Sequence, residues 1–87
     1  MNKVLIHKRV VKFLDGLEKN RRTKILEILK SLRNFPLIRA DIKKIDKNRE
    51  TYRLRAGRIR IIFDFDKDEN VVFVKRVDYR GRAYKNL

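Results

Sequence analysis

Cysteine and tryptophan are absent from this 87-residue chain, histidine and proline occur once each, and glycine three times. Without cysteine there is no disulfide framework, no thiolate metal site and no thiol nucleophile. The single histidine, His7, has no second histidine or carboxylate in a suggestive pattern beside it, which favours a structural role over imidazole acid/base chemistry. Long apolar runs are missing as well. The amino-terminal stretch VLI is short, and no window approaches the ~20 apolar residues of a membrane span. No signal peptide is visible either, so a cytoplasmic location with no membrane partner is expected.

Negative charge is the other scarcity. Lys and Arg number 25 against 11 Asp and Glu, giving a net charge of +14 and a pI near 10.7. Such an excess goes beyond what solubility needs and draws a protein to phosphate backbones by counterion release, or to acidic protein surfaces. A surface rich in ion pairs, as in heat-adapted proteins, would explain many charges but not their one-sided sign. A polyanion is therefore the expected partner. With 43% apolar and 41% charged residues, a core forms only if the charges segregate onto separate faces. The length suits one small domain spanning residues 1–87.

Periodicity supplies the elements. KVLIHK predicts a strand from about Lys3 to His7. Val10, Val11, Leu14 and Leu17 then recur at helical spacing after Lys8, and a second helical run from Asn20 carries Ile25, Ile28, Leu29 and Leu32. Gly16 weakens a helix by about 1 kcal/mol relative to alanine, which places the break between the helices somewhere from Gly16 to Arg22. Pro36 closes the second helix. From Leu37 to Glu50 the pattern is mixed and polar and reads as a connecting loop, with room for a short turn of helix.

Period two follows. Tyr52, Leu54 and Ala56 alternate with Arg53 and Arg55, Gly57 allows a tight turn, and Ile59, Ile61, Phe63 and Phe65 alternate with Arg58 and Arg60. DKDEN, Asp66 to Asn70, makes the next turn; it lacks the glycine and distal glutamate of a calcium loop. VVFVKRV, Val71 to Val77, is apolar on both sides, as a central strand is. The expected fold is a single α+β domain in the order β-α-α-β-β-β, with the helical hairpin packed on one face of an antiparallel sheet. The helices then cover the face of Tyr52, Leu54, Ile59, Ile61 and Phe63. Arg53, Arg55, Arg58 and Arg60 project from the other, joined by Lys75 or Arg76. Like charges on neighbouring strands repel, and an anion on that face would remove the cost.

The stretch YRLRAGRIRIIFDFDKDENVVFVKRVDYRGRAY, following a helical hairpin, resembles the RelE/ParE superfamily of toxins from toxin–antitoxin pairs, in particular its RelE-like, RNA-cleaving branch. The likeness spans nearly the whole chain. It implies a ribosome-dependent endoribonuclease that cuts messenger RNA in the ribosomal A site and is silenced by an acidic, RelB-like antitoxin in a hetero-oligomeric complex. Carried over by position, it implies catalytic roles for Arg60, Arg80 and Tyr84. RNA contacts would come from Arg53, Arg55, Arg58, Lys75, Tyr79 and Arg82. Many relatives carry histidine where this chain has Tyr79 and a second arginine directly after the tail arginine, where this chain has Gly81 and then Arg82. The key tail arginine is thus Arg80 or Arg82.

Such chemistry needs neither metal nor cofactor, because the RNA 2′-OH is the nucleophile. The protein must align the reacting atoms, stabilise charge on the phosphorane-like transition state and move protons. Arginine's planar, permanently charged fork suits the second task. Tyr84 is open to two roles, proton transfer or stacking on a base. Two rival functions remain: a ParE-like poison of DNA gyrase, and a basic RNA- or ribosome-binding module without catalysis.

Overall fold

A computed structural model describes residues 1–46 and 48–79 of the chain. Strand β1 (Lys3–Ile6) leads into helix α1 (Lys8–Asp15) and helix α2 (Lys19–Ser31), which ends in a 3-10 turn over Leu32–Asn34. Strands β2 (Asp41–Asp46), β3 (Thr51–Ala56), β4 (Ile59–Asp66) and β5 (Val71–Tyr79) follow. The sheet runs β1-β5-β4-β3-β2. Its last four strands are antiparallel neighbours and β1 lies parallel to β5, so the sheet is mixed.

Local chemistry accounts for the boundaries. His7 caps α1: its Nδ1 accepts from the Arg9 backbone N–H at 3.0 Å, satisfying a donor that a helix start leaves free. The structural role expected of this residue is the one seen. The inter-helix break falls at the early end of the expected window, with Gly16 at the α1 terminus and Glu18 preceding α2. Asn2 is buried, and its Nδ2 donates to the carbonyls of Leu32 at 3.2 Å and Phe35 at 2.6 Å. It thereby ties the carbonyl-rich end of the helical layer to the start of β1. Gly57 has φ +61° at the first central position of the two-residue β3–β4 turn, the requirement of a type II′ hairpin. In the DKDEN turn, the Asp66 carboxylate accepts from the backbone N–H groups of Asp68 and Glu69.

One strand contradicts the sequence reading. Residues 41–46, expected to belong to a loop, form β2 beside β3. The register slips between Lys44 and Asp46, leaving Ile45 as an extra, exposed residue. Ile42 and Ile45, three apart in the sequence around this slip, hide the alternation of an edge strand. β5 also runs two residues past its expected end at Val77, to Tyr79.

A single core joins the layers. Val10 and Leu14 of α1, and Ile25 and Leu29 of α2, meet Leu54, Ile59, Ile61, Phe63, Val72, Val74 and Val77 of the sheet. Each such side chain, once buried, contributes about 1.5–3 kcal/mol. Phe35 packs edge-on against Tyr52, Phe63 and Phe65, with ring centroids 5.0 to 5.1 Å apart. The helix-covered face is the expected one. Val11, part of the predicted helical set, instead faces solvent.

Candidate nucleic-acid interface

With Leu54, Ile59, Ile61 and Phe63 committed to the helices, alternation sends Arg53, Arg55 and Arg60 to the open face. The registers arrange that face in rows across four strands. One row reads Asp41, Arg55, Arg60, Asp78, and the next Lys43, Arg53, Ile62, Arg76. Five bases and two acids thus occupy two adjacent rows. Arg55 and Arg60 are direct cross-strand partners, the placement at which like charges repel most.

Among the described residues, carboxylates of this face come within ion-pair distance only on the β4–β5 side, while Asp41, opposite Arg55 in the register, forms no ion pair. Asp78 lies 3.6 Å from Arg60 Nε and 3.4 Å from Arg76 Nε, while Asp64 lies 3.3 Å from Lys75 Nζ and accepts from the Thr51 hydroxyl at 2.6 Å. Arg53 and Arg55 have no ion-pair partner among the described residues. The Nε atoms of Arg53, Arg55 and Arg60 are buried without a hydrogen bond. The terminal amino groups of these arginines have no hydrogen bond or ion pair among the described residues, and it is these forks that could grip phosphate oxygens.

A bulge shapes the β5 part of the face. Ile62 pairs with Arg76 but Phe63 with Val74, so Lys75 is the inserted residue. The insertion brings both Lys75 and Arg76 to the open side, where alternation alone allowed one or the other. It also turns Tyr79 inward: its ring packs 5.9 Å from Phe13, with the Arg21 guanidinium 5.7 Å from its centre. Tyr79 is thus on the opposite side of the sheet from Arg60. Arg58 is exposed at the tip of the β3–β4 turn, off the face itself. Arg80, Arg82 and Tyr84 lie outside the described residues. Lys43 belongs to the basic rows but was invisible while its segment read as a loop.

Tyr52, read as sheet packing, does stack on Phe63 at 5.6 Å. Its hydroxyl also donates to Glu50 Oε2 at 2.5 Å. That bond holds the tyrosine above its ordinary pKa and, with Lys44, holds Glu50 below the usual carboxylate value. Among the described residues no group of three His, Cys, Asp or Glu side chains is placed to hold a metal. On the other side of the molecule an open groove of about 430 Å³ separates edge strand β1 from α2, lined by Val4, Ile6, Leu26 and Leu29 with Lys30 and Arg33.

The class the structure defines is a small, strongly basic α+β domain with an arginine cluster on the open face of its sheet. Comparison with known proteins narrows it. Residues 4–84 match the family described as the ParE toxin of type II toxin–antitoxin systems. A curated relative in Methanocaldococcus jannaschii, a candidate toxin named RelE1, is 33% identical over 95% of this chain and 94% of its own. The archaeal RelE–RelB complex from Pyrococcus horikoshii has a chain 32% identical, with TM-score 0.79 over 93% of this chain and 97% of that one. The isolated Escherichia coli RelE toxin, 19% identical, shares the fold, with TM-score 0.71 over 99% and 94% of the two chains. The chain belongs to the RelE/ParE superfamily of toxins.

Proposed function

We propose that the protein is a ribosome-dependent endoribonuclease that cuts messenger RNA in the ribosomal A site, in the cytoplasm. The observation that carries this reading is the Arg55–Arg60 cross-strand pair with Arg53 beside it, of which Arg53 and Arg55 form no ion pair among the described residues. Two cations held face to face cost stability, and an RNA phosphate between them reverses the sign of that cost.

In the proposed reaction the 2′-OH attacks the adjacent phosphorus as the 5′ oxygen leaves. Arg60 stabilises the charge that builds on the non-bridging oxygens, assisted by Arg80 or Arg82. Donors placed at such a charge are each worth roughly 2–4 kcal/mol of barrier. Arg53 and Arg55, with Arg58, Lys75 and Lys43, hold the RNA backbone. Tyr84 supplies either proton transfer or a stacking surface. A side-chain set so poor in bases predicts little cutting of free RNA, with the ribosome fixing the substrate geometry. Tyr79, turned toward Phe13, would contact RNA only by its exposed edge.

The proposed silencing partner is an acidic antitoxin. Its apolar positions would fit the groove between β1 and α2, and the edge of β1, unpaired among the described residues, offers backbone hydrogen bonds to an added strand. The RelE–RelB complexes among the structural relatives support this partnership.

Primer extension on messenger RNA, free or programmed onto ribosomes with an empty A site, tests the activity. Cuts in the A-site codon only on ribosomes, lost in Arg60→Ala, Arg80→Ala or Tyr84→Ala, are expected. Because the matching family is described by its ParE member, gyrase poisoning is the second reading. Intact RNA together with gyrase-dependent DNA breaks would replace the first reading with it.

A further inference from the structure

Resting on the ribonuclease reading, we infer that Asp78 is the positioning residue that sets Arg60 for phosphate contact. Asp78 is the direct β5 partner of Arg60, and its two carboxylate oxygens face different arginines: Oδ1 lies 3.6 Å from Arg60 Nε, and Oδ2 lies 3.4 Å from Arg76 Nε. The Arg60 contact is too long for a hydrogen bond, and Arg60 Nε, like Asp78 Oδ1, lacks a hydrogen-bond partner. The carboxylate therefore guides the guanidinium by charge without occupying its donors.

The attachment is at the Nε side. No hydrogen bond or ion pair engages the terminal amino groups of Arg60 among the described residues, so the two-pronged end stays available to a phosphate. Two forces then set the direction of the side chain. Arg55 on β3 repels it, and Asp78 on β5 attracts it. Both push the same way, toward the strand that leads in sequence to Arg80 and Tyr84. The Arg60 and Asp78 side chains are 34% and 32% exposed, against 67% for Arg76. Water screens the Arg60 contact less, so it is the stronger orienting influence of the two.

Removing the charge has opposite effects on binding and turnover. Asp78→Asn deletes a negative charge from a basic face, so ribosome-bound substrate is held more tightly and KM falls about 2-fold to 3-fold. Arg60 loses its orienting partner, so kcat falls on the order of 10-fold. Asp78→Glu restores the charge one methylene farther out and recovers much of kcat. Nitrogen-15 relaxation at the arginine Nε–H provides a readout that does not depend on catalysis: Arg60 Nε–H is ordered in the wild type and loosens in Asp78→Asn.

An Arg60 Nε–H order that is the same in wild type and Asp78→Asn overturns the proposal. So does a variant that turns over at the wild-type rate with lower KM, since the carboxylate would then only compete with phosphate. If the wild type cuts no ribosome-bound RNA, the ribonuclease reading fails separately, and the relaxation comparison alone decides whether Asp78 orients Arg60. Both variants keep a side chain of similar size at a part-exposed position, and a thermal melt confirms that they fold.

Discussion

Arg55 is the residue at which the cost of the basic face is open to direct measurement. It lies opposite Arg60, has no ion-pair partner among the described residues, and buries its Nε without an acceptor. Methionine keeps an unbranched stem of similar length and puts an apolar atom where Nε sits. Relief of the like-charge pair with Arg60 is worth about 0.2–1 kcal/mol, offset in part by the lost attraction to Asp41, the β2 partner of Arg55. Loss of an unsatisfied, part-buried donor adds a share of the ~1–3 kcal/mol such groups cost. A net gain near ~1 kcal/mol raises the melting midpoint by about 4–8 °C in a domain of this size. The Coulomb share disappears in ~1 M salt, where the Debye length is about 3 Å, so the gain shrinks there. The same substitution should weaken RNA binding and its salt dependence. One lost phosphate contact flattens the log–log salt slope by about 0.7, so between ~50 and ~200 mM salt the wild type weakens about 2.6-fold more than Arg55→Met. Paired thermal melts and RNA-binding titrations at several salt concentrations measure both. A variant that melts lower than the wild type at low salt would refute the claim that this face is strained for the sake of an anion.

Two further predictions concern the scaffold. Asn2→Ala strands the carbonyls of Leu32 and Phe35 and should cost about 1–3 kcal/mol, read by urea denaturation with an unchanged m-value. The Tyr52–Glu50 bond should appear in an ultraviolet titration as one tyrosine ionising above the ordinary value of 10.0, returning toward it in Glu50→Gln. The linkage has two signs. Tyr52, with its folded pKa raised, contributes stability that is present below pH 10 and lost as pH rises through the folded value. Glu50, with its folded pKa lowered from 4.5, contributes stability that is present above that value and lost as pH falls through the folded one.

What the sequence disclosed depends on how cleanly each element keeps its period. β3 and β4 alternate without interruption from Thr51 to Asp66, so their faces, their turn at Gly57 and the outward set Arg53, Arg55 and Arg60 were all legible. The helices were legible from Val10, Leu14, Ile25 and Leu29, though not Val11, since a helix this short offers more apolar residues than its buried stripe holds. β2 was not legible. It is an edge strand with one half-buried apolar residue, Ile42, and an irregularity at Ile45, and an edge needs too little burial to show a pattern. Lys43 was lost with it. The parallel pairing of β1 with β5 was hidden for another reason: it joins residues about 68 positions apart, such as Lys3 and Val71, and no local signal encodes such a contact.

The bulge at Lys75 bears most directly on the site. Val72 and Val74 face the helices; uninterrupted alternation would carry residues 76 and 78 to the same side and leave Val77 and Tyr79 on the open face. One inserted residue reverses this, burying Val77, sending Tyr79 against Phe13 and placing Asp78 in the row of Arg60. Burial of Val77 fixes the shift, since the unbulged register would put Arg76 in the buried place of Val77 and Asp78 in that of Tyr79, burying two charges. The hydrophobic demand of one valine thus decides which side chain meets Arg60. A carboxylate takes the place opposite Arg60 that Val77 would otherwise occupy, and Arg60 gains an anchor on β5 while Arg53 and Arg55 form no ion pair among the described residues. A phosphate approaching that face would find Arg60 already drawn to one side and Arg53 and Arg55 without a close ion pair on the other, a gradient of compensation that the core, rather than the basic face, has written into the sheet.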